Sequence, residues 1–293
     1  MSSVCKGPPT VHSRPCGLCQ RCSYRLRFVK DGYQIGRCTG CGLVQVLDDI
    51  ADEKLRSIYD QGYYTGANNL VYDDYLSRKD IKVRDYEERF EAICAQNNIT
   101  SPGSCLEIGC AFGFFLDVAR RRGWSTKGIE LSAHSAGYAR EQLGLDVSCE
   151  SDALQRIPSA SQDLVAMWDV IEHLKDPLMT LREIRRVLTS EGLLVFATGD
   201  IGSIGARLYG KRWHLLAPPY HLFYFDRNTV RMMLKDTGFT LLRIRSDGHP
   251  LDNHGSPRFL AWVAAHDRHI GWRLDSGPIM TVTAQRDKQF PTC

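Results

Sequence analysis

The sequence lacks the features that mark several large classes of protein. Its 293 residues contain no run of about 18 apolar residues, which argues against a membrane-spanning helix. A formal net charge of +3 is small for this length, so the composition does not indicate strong binding to nucleic acids or membrane surfaces. Residues 1–14 contain no apolar segment of the secretory type, and we therefore expect a cytoplasmic location. Internal repeats and low-complexity tracts are also missing.

Cysteine, in contrast, is unusually frequent. Five of the 11 cysteines fall in one short segment, at Cys16, Cys19, Cys22, Cys38 and Cys41. Cys16–Cys19 and Cys38–Cys41 have the C-x-x-C spacing of knuckles that direct two thiolates at one ion, and in a reducing compartment such clustering favours a metal over disulfides. We predict a structural Zn²⁺ bound by Cys16, Cys19, Cys38 and Cys41. Cys19-x-x-Cys22 has the same spacing, so Cys22 remains an alternative ligand.

Composition and patterning divide the chain into four parts. They are a disordered lead-in, a zinc ribbon, a helical linker or lid, and a large main domain, at residues 1–14, 15–47, 48–100 and 101–293. Within the ribbon, residues 24–29 and 33–37 alternate as short strands, and Asp31-Gly32 between them is a hairpin signal. In the linker, a long helical pattern covers residues 72–96.

From residue 104 onward, short apolar segments alternate with helical patterns. The predicted strands lie at residues 104–109, 125–130, 146–149, 163–168, 192–198, 239–245 and 279–284. The predicted helices lie at residues 113–122, 133–143, 176–188 and 226–236. Gly192 is interpreted as the turn between a helix and the strand that follows it. This alternation predicts an α/β domain, a parallel sheet with helices on both faces.

The segment Leu106–Gly113, with the sequence LEIGCAFG, carries the strongest functional signal. Apolar residues lead to an acidic residue, a glycine turn follows, and a helical pattern begins at Phe114. A strand, turn and helix of this kind bind nucleotide-like ligands at the helix N-terminus, and glycine lets the backbone approach the ligand closely. The dinucleotide fingerprint G-x-G-x-x-G is not present, which makes a nicotinamide dehydrogenase the weaker interpretation.

The E-x-G-x-x-x-G spacing resembles motif I of the class I S-adenosylmethionine (SAM) methyltransferases. The family usually has a third glycine where this chain has Ala111. The resemblance implies a Rossmann-like, mainly parallel seven-stranded sheet and SAM as cofactor. It further implies a cofactor site made of Glu107, Gly109, Cys110, Ala111, Gly113, Glu130, Leu131, Asp152, Ala153, Trp168 and Asp169.

Within that site the resemblance assigns roles residue by residue. Glu130 would accept hydrogen bonds from the ribose hydroxyls, and Glu107 would interact with the ligand's ammonium group through water. Asp152-Ala153 would meet the adenine. The segment Trp168–His173, WDVIEH, would border the methionine end of the cofactor and the substrate.

Residues 16–286 also resemble a bacterial group that joins an N-terminal zinc ribbon to a SAM domain. The group has a P-x-H-L-x-x-F element where this chain has Pro219–Phe225, and many members act on sugars or other small metabolites. The resemblance implies a biosynthetic methyltransferase with a small-molecule acceptor. His173 and His221 are the candidate general bases, since a histidine near neutral pKa can deprotonate a hydroxyl or amine. Structural roles are equally open for both residues. His173 could orient a loop, and His221 could fix the segment around Pro219–Phe225 over the pocket.

Other interpretations remain. An aromatic wall for the acceptor is predicted from Tyr63, Tyr64, Tyr209, Trp213 and Tyr220.

Basic residues on the ribbon, Arg25, Arg27, Lys30 and Arg37, allow an RNA or protein methyltransferase as the alternative function. The near-neutral chain and the lack of an Asn/Asp-Pro-Pro-aromatic element argue against a nucleic-acid substrate. A SAM-binding regulator without chemistry is a third reading. The atom that receives the methyl group and the oligomeric state stay open.

Overall fold

The computed structural model describes residues 10–11, 14–51, 53–55, 75–247 and 277–290. Within these ranges no helix is both long and apolar enough to cross a bilayer. Tyr63, Tyr64 and most of the predicted lead-in lie outside the described residues. The chain divides into two compact units. Unit 1 contains Met1–Ile50, Asp169–Arg182 and Phe196–Cys293, and unit 2 contains Ala51–Trp168 and Glu183–Val195.

The elements follow one another in an order close to the predicted one. The strands are β1 (Thr10–Val11), β2 (Ser23–Lys30), β3 (Tyr33–Cys38), β4 (Val44–Val46), β5 (Ser104–Ile108), β6 (Ser125–Ile129), β7 (Val147–Ser148), β8 (Gln162–Trp168), β9 (Leu188–Gly199), β10 (Phe223–Tyr224), β11 (Phe239–Asp247) and β12 (Ile279–Arg286). The helices are α1 (Lys79–Gln96), α2 (Phe114–Arg121), α3 (Ala133–Leu143), α4 (Ala153–Arg156), α5 (Pro177–Val187), α6 (Ile204–Tyr209) and α7 (Arg227–Asp236).

The predicted α/β architecture is confirmed. Seven strands form one sheet in the order β11-β12-β9-β8-β5-β6-β7, and β5 pairs in parallel with both β6 and β8. β6 and β7 are parallel as well, whereas β11 and β12 form an antiparallel pair. Parallel neighbours end at the same edge of a sheet, so the carboxyl ends of β5, β6, β7 and β8 lie along one edge. That edge is where open α/β sheets bind ligands.

The central strands β5 and β8 are mostly buried, and apolar residues fill most of their length. Residues 164–167 of β8 are completely buried, as is Leu106 of β5. Helix α2 packs its own apolar face inward, with Phe115 and Leu116 fully buried. Burial of each such side chain contributes about 2 kcal/mol to folding. The strand and helix that carry the glycine turn are therefore rigidly held.

The ribbon forms a second sheet within unit 1, in the order β1-β2-β3-β4-β10. β2 and β3 make the predicted hairpin, and its turn residues Asp31 and Gly32 both have positive φ, 51° and 82°. A two-residue hairpin loop of type I′ requires this conformation at both positions. β4 continues the sheet, and the short strand β10 is paired with it.

Gly192 lies where the chain folds back between a helix and the strand that follows it, as predicted. Helix α5 ends at Val187, and β9 is bounded by Leu188 and Gly199. A Cβ on Gly192 would lie 2.9 Å from Leu188 Cβ, whereas four residues of extended strand span about 13 Å. The chain therefore reverses direction between residues 188 and 192, and glycine is needed there because a side chain would contact Leu188.

Candidate active site

The glycine turn of unit 2 is built from left-handed backbone. Gly109, Ala111 and Gly113 have φ values of 70°, 47° and 79°. Gly113 is the residue that precedes α2, and the N–H of Asp117 in the first turn bonds to its carbonyl at 2.9 Å. The Gly109 N–H bonds to Ile129 O at 2.7 Å, which ties the turn to the neighbouring strand. The result is a compact loop at a helix N-terminus, where backbone N–H groups favour a polar or anionic ligand.

Glu130 holds this loop from the next strand. Its carboxylate accepts the N–H of Ala111 at one oxygen and the N–H of Ser132 at the other, both at 2.8 Å. The side chain is buried, at 3% exposure. A carboxylate oxygen has a second lone pair, so Glu130 keeps acceptor capacity for ligand hydroxyls. The same bond explains how Ala111 is kept in a conformation that glycine adopts more easily.

Glu107 is the other acidic residue of the loop region, and it is 2% exposed. Burial raises its pKa well above the ordinary value, and the charge of Glu130 raises it further. Among the described residues, no group donates a hydrogen bond to its Oε2. A buried carboxylate oxygen without a donor is costly. A ligand ammonium or ordered water would satisfy it, so this observation fits a bound SAM.

The remaining predicted cofactor residues follow the ends of the parallel strands. Leu131, after β6, is a large apolar side chain that is 57% exposed. Asp152 precedes α4 and pairs with Arg156 at 3.0 Å, while Ala153 is buried. Trp168 ends β8, and its ring packs against Phe115 with centroids 5.2 Å apart. Cys110 is buried in the turn, and Asp169 begins the segment that belongs to unit 1.

Unit 1 contains a buried polar cluster of Glu172, His173 and His221. Residues 171–173 form a 3₁₀ turn, and His221 lies in the segment before β10. One carboxylate oxygen and one nitrogen of each histidine lie within 4.8 Å of one another, a spacing at which the three groups could bind one cation. The two rings meet edge to face, with centroids 4.8 Å apart. The structure therefore brings both predicted histidines together.

Backbone carbonyls fix the tautomer of both histidines. Nδ1 of His173 lies 2.8 Å from Tyr220 O, and Nδ1 of His221 lies 2.7 Å from Leu215 O. A carbonyl oxygen only accepts, so each Nδ1 carries the proton and each Nε2 carries the lone pair. Burial lowers the pKa of His173 to about 4. Burial, followed by the neighbouring His173, lowers the pKa of His221 to about 3. Both rings are neutral at pH 7.

Glu172 was missed as a candidate site residue, although it lies inside the WDVIEH segment. It is 3% exposed, and burial, followed by the charge of Asp169, raises its pKa to about 8. Its Oε2 has no hydrogen-bond donor within the described ranges. The available signal in the sequence was an acidic residue that follows two apolar residues and directly precedes a candidate catalytic histidine.

The four predicted zinc ligands also come together. Cys16 and Cys41 sulfurs lie 3.4 Å apart, as do those of Cys19 and Cys38, and all four lie within 4.8 Å of one another. Tetrahedral coordination at a Zn–S distance of about 2.3 Å separates the sulfurs by about 3.8 Å, so the cluster fits one Zn²⁺. Cys22 is not a member of this cluster in the part of the chain that the structure describes.

The described members of the predicted aromatic wall are spread along one segment. Tyr209 ends α6, Trp213 follows it and is 1% exposed, and Tyr220 is partly buried beside His221. Trp213 Nε1 is a buried donor without an acceptor among the described residues. The other two predicted members, Tyr63 and Tyr64, lie outside the described residues, so the aromatic wall stays a prediction.

The sheet has seven strands and is mainly parallel, and the carboxylate that follows the next strand holds the glycine turn by hydrogen bonds. Together these features define the class I SAM-dependent methyltransferase fold. A family model described as a methyltransferase domain matches residues 80–244, and the chain belongs to that family. Among curated proteins, the chain is 31% identical over 115 residues to a ubiquinone biosynthesis O-methyltransferase of Cereibacter sphaeroides.

That match covers 37% of this chain and 47% of the relative, so the chain spans about half the length of the curated relatives it matches first. A protein of the same name from a Caulobacter species is 27% identical over 198 residues, which are 61% of this chain and 71% of that protein. Magnesium protoporphyrin IX methyltransferase of Synechocystis PCC 6803 has a similar structure, with a TM-score of 0.56 and 12% identity over 81% of this chain and all (100%) of that one. At that identity the similarity concerns the fold alone.

Proposed function

We propose that the protein transfers the methyl group of SAM to a hydroxyl group of a small molecule. The observation that carries this proposal is the buried cluster of Glu172, His173 and His221, which supplies neutral proton acceptors in a chain of the methyltransferase family. The names of the curated relatives support a hydroxyl acceptor, because those proteins are O-methyltransferases.

The loop of unit 2 would hold the cofactor. Glu130 has acceptor capacity for the ribose, the unpartnered oxygen of Glu107 suits the ammonium group, and exposed Leu131 offers an apolar surface for the adenine. When bound, SAM supplies a methyl group on a positively charged sulfur, an electrophile that needs no further activation. The protein's remaining tasks are to orient the acceptor and to remove its proton.

Proton removal is assigned to one of the two histidines. Each Nε2 carries a lone pair, because each Nδ1–H donates to a carbonyl. An acceptor O–H would give its proton to an Nε2 while its oxygen takes the methyl group, the sulfur–methyl bond breaks and S-adenosylhomocysteine leaves. A base with a pKa of about 4 is weak, so the proton moves as that bond forms and not before it.

The ribbon's basic residues give little support to the RNA alternative. The Lys30 ammonium donates to Leu216 O, and Arg37 lies 3.6 Å from Asp226 and bonds to Gly42 O. The guanidinium of Arg27 is partly buried over the Phe28 ring, and burial lowers its pKa. Three of the four cations therefore interact within the chain, although the side chain of Arg37, like that of Arg25, is exposed.

The test compares His173→Gln and His221→Gln with the wild-type protein. S-adenosylhomocysteine formation is measured with phenols, sugar nucleotides and total RNA as acceptors, and S-adenosylhomocysteine binding is measured by calorimetry. We expect at least one variant to lose about 10²- to 10⁴-fold in kcat on a small hydroxylated acceptor, with cofactor affinity unchanged. Wild-type turnover in both variants would reject the base, and turnover on RNA alone would reject the acceptor class.

A further inference from the structure

The cysteine module of unit 1 is joined to the His221 segment by strand pairing. β4 has β3 on one side and β10 on the other, with Phe223 opposite Gln45 and Tyr224 opposite Val44. β10 begins two residues after His221. The ribbon sheet therefore ends on the segment that carries one member of the buried polar cluster.

Leu222, next to His221, is bonded on both sides. Its carbonyl accepts the N–H of Val46 from the ribbon at 3.0 Å, and its own N–H donates to Glu172 O at 2.8 Å. Two backbone bonds thus connect β4, Leu222 and Glu172 in series. A displacement of β4 would move both His221 and the backbone of Glu172.

Gln45 links this strand to the first cysteine knuckle. Its side chain is completely buried, accepts the Gly17 N–H at Oε1 (2.9 Å) and donates from Nε2 to Pro15 O (3.2 Å). Gly17 lies between Cys16 and Cys19 of the cluster. Every polar atom of the Gln45 amide is used to fix the knuckle against the centre of β4, whose partner is Phe223.

Two further contacts act on the same segment. The Phe223 ring covers Gly17 so closely that a Cβ at position 17 would overlap it. At the far end of β2, the Lys30 ammonium donates to Leu216 O, and the adjacent Leu215 O accepts Nδ1–H of His221. The ribbon therefore meets the His221 segment before the histidine as well as after it.

We propose that the four-cysteine module is a positioning element for the buried cluster, and that Gln45 and Gly17 transmit the order of the first knuckle to His221. This inference rests on the proposed function for its catalytic consequence. Gln45 and Gly17 are positioning residues, since they act through β4 and β10. The ribbon's primary role is then within the chain, in aligning a proton acceptor, and it requires no substrate bound to the ribbon.

The test uses Gln45→Leu, which keeps the volume but removes both hydrogen bonds, and Gly17→Ala, which pushes on Phe223. Gln34→Leu is the matched control, because Gln34 is an exposed residue of the neighbouring strand β3. The position of His221 is read from its rate of modification by diethyl pyrocarbonate, followed by peptide mass spectrometry on the full-length protein without cofactor or acceptor. Exposed His134, in unit 2, is the internal reference.

We expect His221, which is 7% exposed, to be modified at least about fivefold faster in Gln45→Leu and Gly17→Ala, with His134 and the Gln34→Leu control unchanged. We also expect kcat to fall about tenfold or more, with S-adenosylhomocysteine affinity within about twofold of wild type and zinc content retained. Should His221 react at the wild-type rate in both variants, the proposal is wrong. A fall in kcat without faster modification of His221 would also contradict the proposal, because the loss of activity would then not result from a displaced His221.

The two proposals fail separately. The modification rate does not depend on any methyl acceptor, so the coupling of the ribbon to His221 can be measured even if neither histidine is the base. Should Gln45→Leu lose zinc or fail to fold, Gly17→Ala decides the question, since it leaves the Gln45 side chain intact.

Discussion

Two substitutions in the glycine turn should change the free energy of unfolding in opposite directions. Ala111 and Gly113 both have left-handed backbone, with φ of 47° and 79°. Ala111→Gly removes a methyl group from the less suitable of the two residues, while Gly113→Ala adds one to the better suited residue. One substitution removes a methyl group at residue 111, and the other adds a methyl group at residue 113. Comparing them separates the energy of backbone strain from the energy of packing the added or removed methyl group.

The magnitudes follow from the local contacts. Left-handed backbone costs a non-glycine residue about 1 to 2 kcal/mol, which Ala111→Gly would recover. Ala111 is 7% exposed, and loss of its buried methyl costs about 0.8 kcal/mol. We therefore expect Ala111→Gly to change the free energy of unfolding by between about 0 and +1 kcal/mol. At Gly113 a Cβ would lie 2.5 Å from Leu145 Cδ1, so strain and overpacking add to a loss of about 3 kcal/mol.

Urea denaturation followed by circular dichroism gives both values, and calorimetry with S-adenosylhomocysteine gives the affinities. Ala111→Gly should bind within about threefold of wild type, because the N–H of residue 111 still bonds to Glu130. A loss of more than about 1 kcal/mol in Ala111→Gly would refute the reasoning. So would a Gly113→Ala variant as stable as wild type.

Three further expectations concern other groups. Glu130→Gln replaces one acceptor with a donor facing a backbone N–H, so calorimetry should show about tenfold weaker S-adenosylhomocysteine binding. The pKa of His221 falls from 6.5 unfolded to about 3 folded, so the unfolded state takes up the proton first. His221 should therefore contribute a loss of about 1.4 kcal/mol per pH unit between pH 6 and 4. His221→Gln should change the slope of the wild-type protein by that amount in denaturation measured across this range, while the contribution of His173 stays in place. Elemental analysis should find about one zinc per chain, lost in Cys38→Ser and retained in Cys22→Ser.

Most of the main domain could be predicted because its signals are local. The strand and helix boundaries around the glycine turn differ by one residue from the predicted ones, since a buried strand, a left-handed turn and an amphipathic helix each leave a pattern in neighbouring residues. The spacing of the cysteine pairs likewise pointed to four sulfurs that the structure brings within 4.8 Å of one another.

The arrangement around His221 was not predictable in the same way. β10 has two residues, too few for any periodicity, and its partner β4 lies in a distant part of the chain. Glu172 stands in a predicted segment, but its inclusion in the cluster depends on burial, which no residue pattern reports. Lys30 was read as part of a basic surface, whereas its ammonium donates to a backbone carbonyl that only the tertiary fold brings near.

The pairing of β4 with β10 has a consequence for how the chain matures during synthesis. The ribosome releases the ribbon first, then all of Ala51–Trp168, and only later the segment that completes the ribbon sheet. Until Phe223 and Tyr224 emerge, β4 presents an unpaired edge and the first knuckle has no aromatic cover. The unit that contains the histidines therefore closes late, after unit 2 has most of its sequence available for folding.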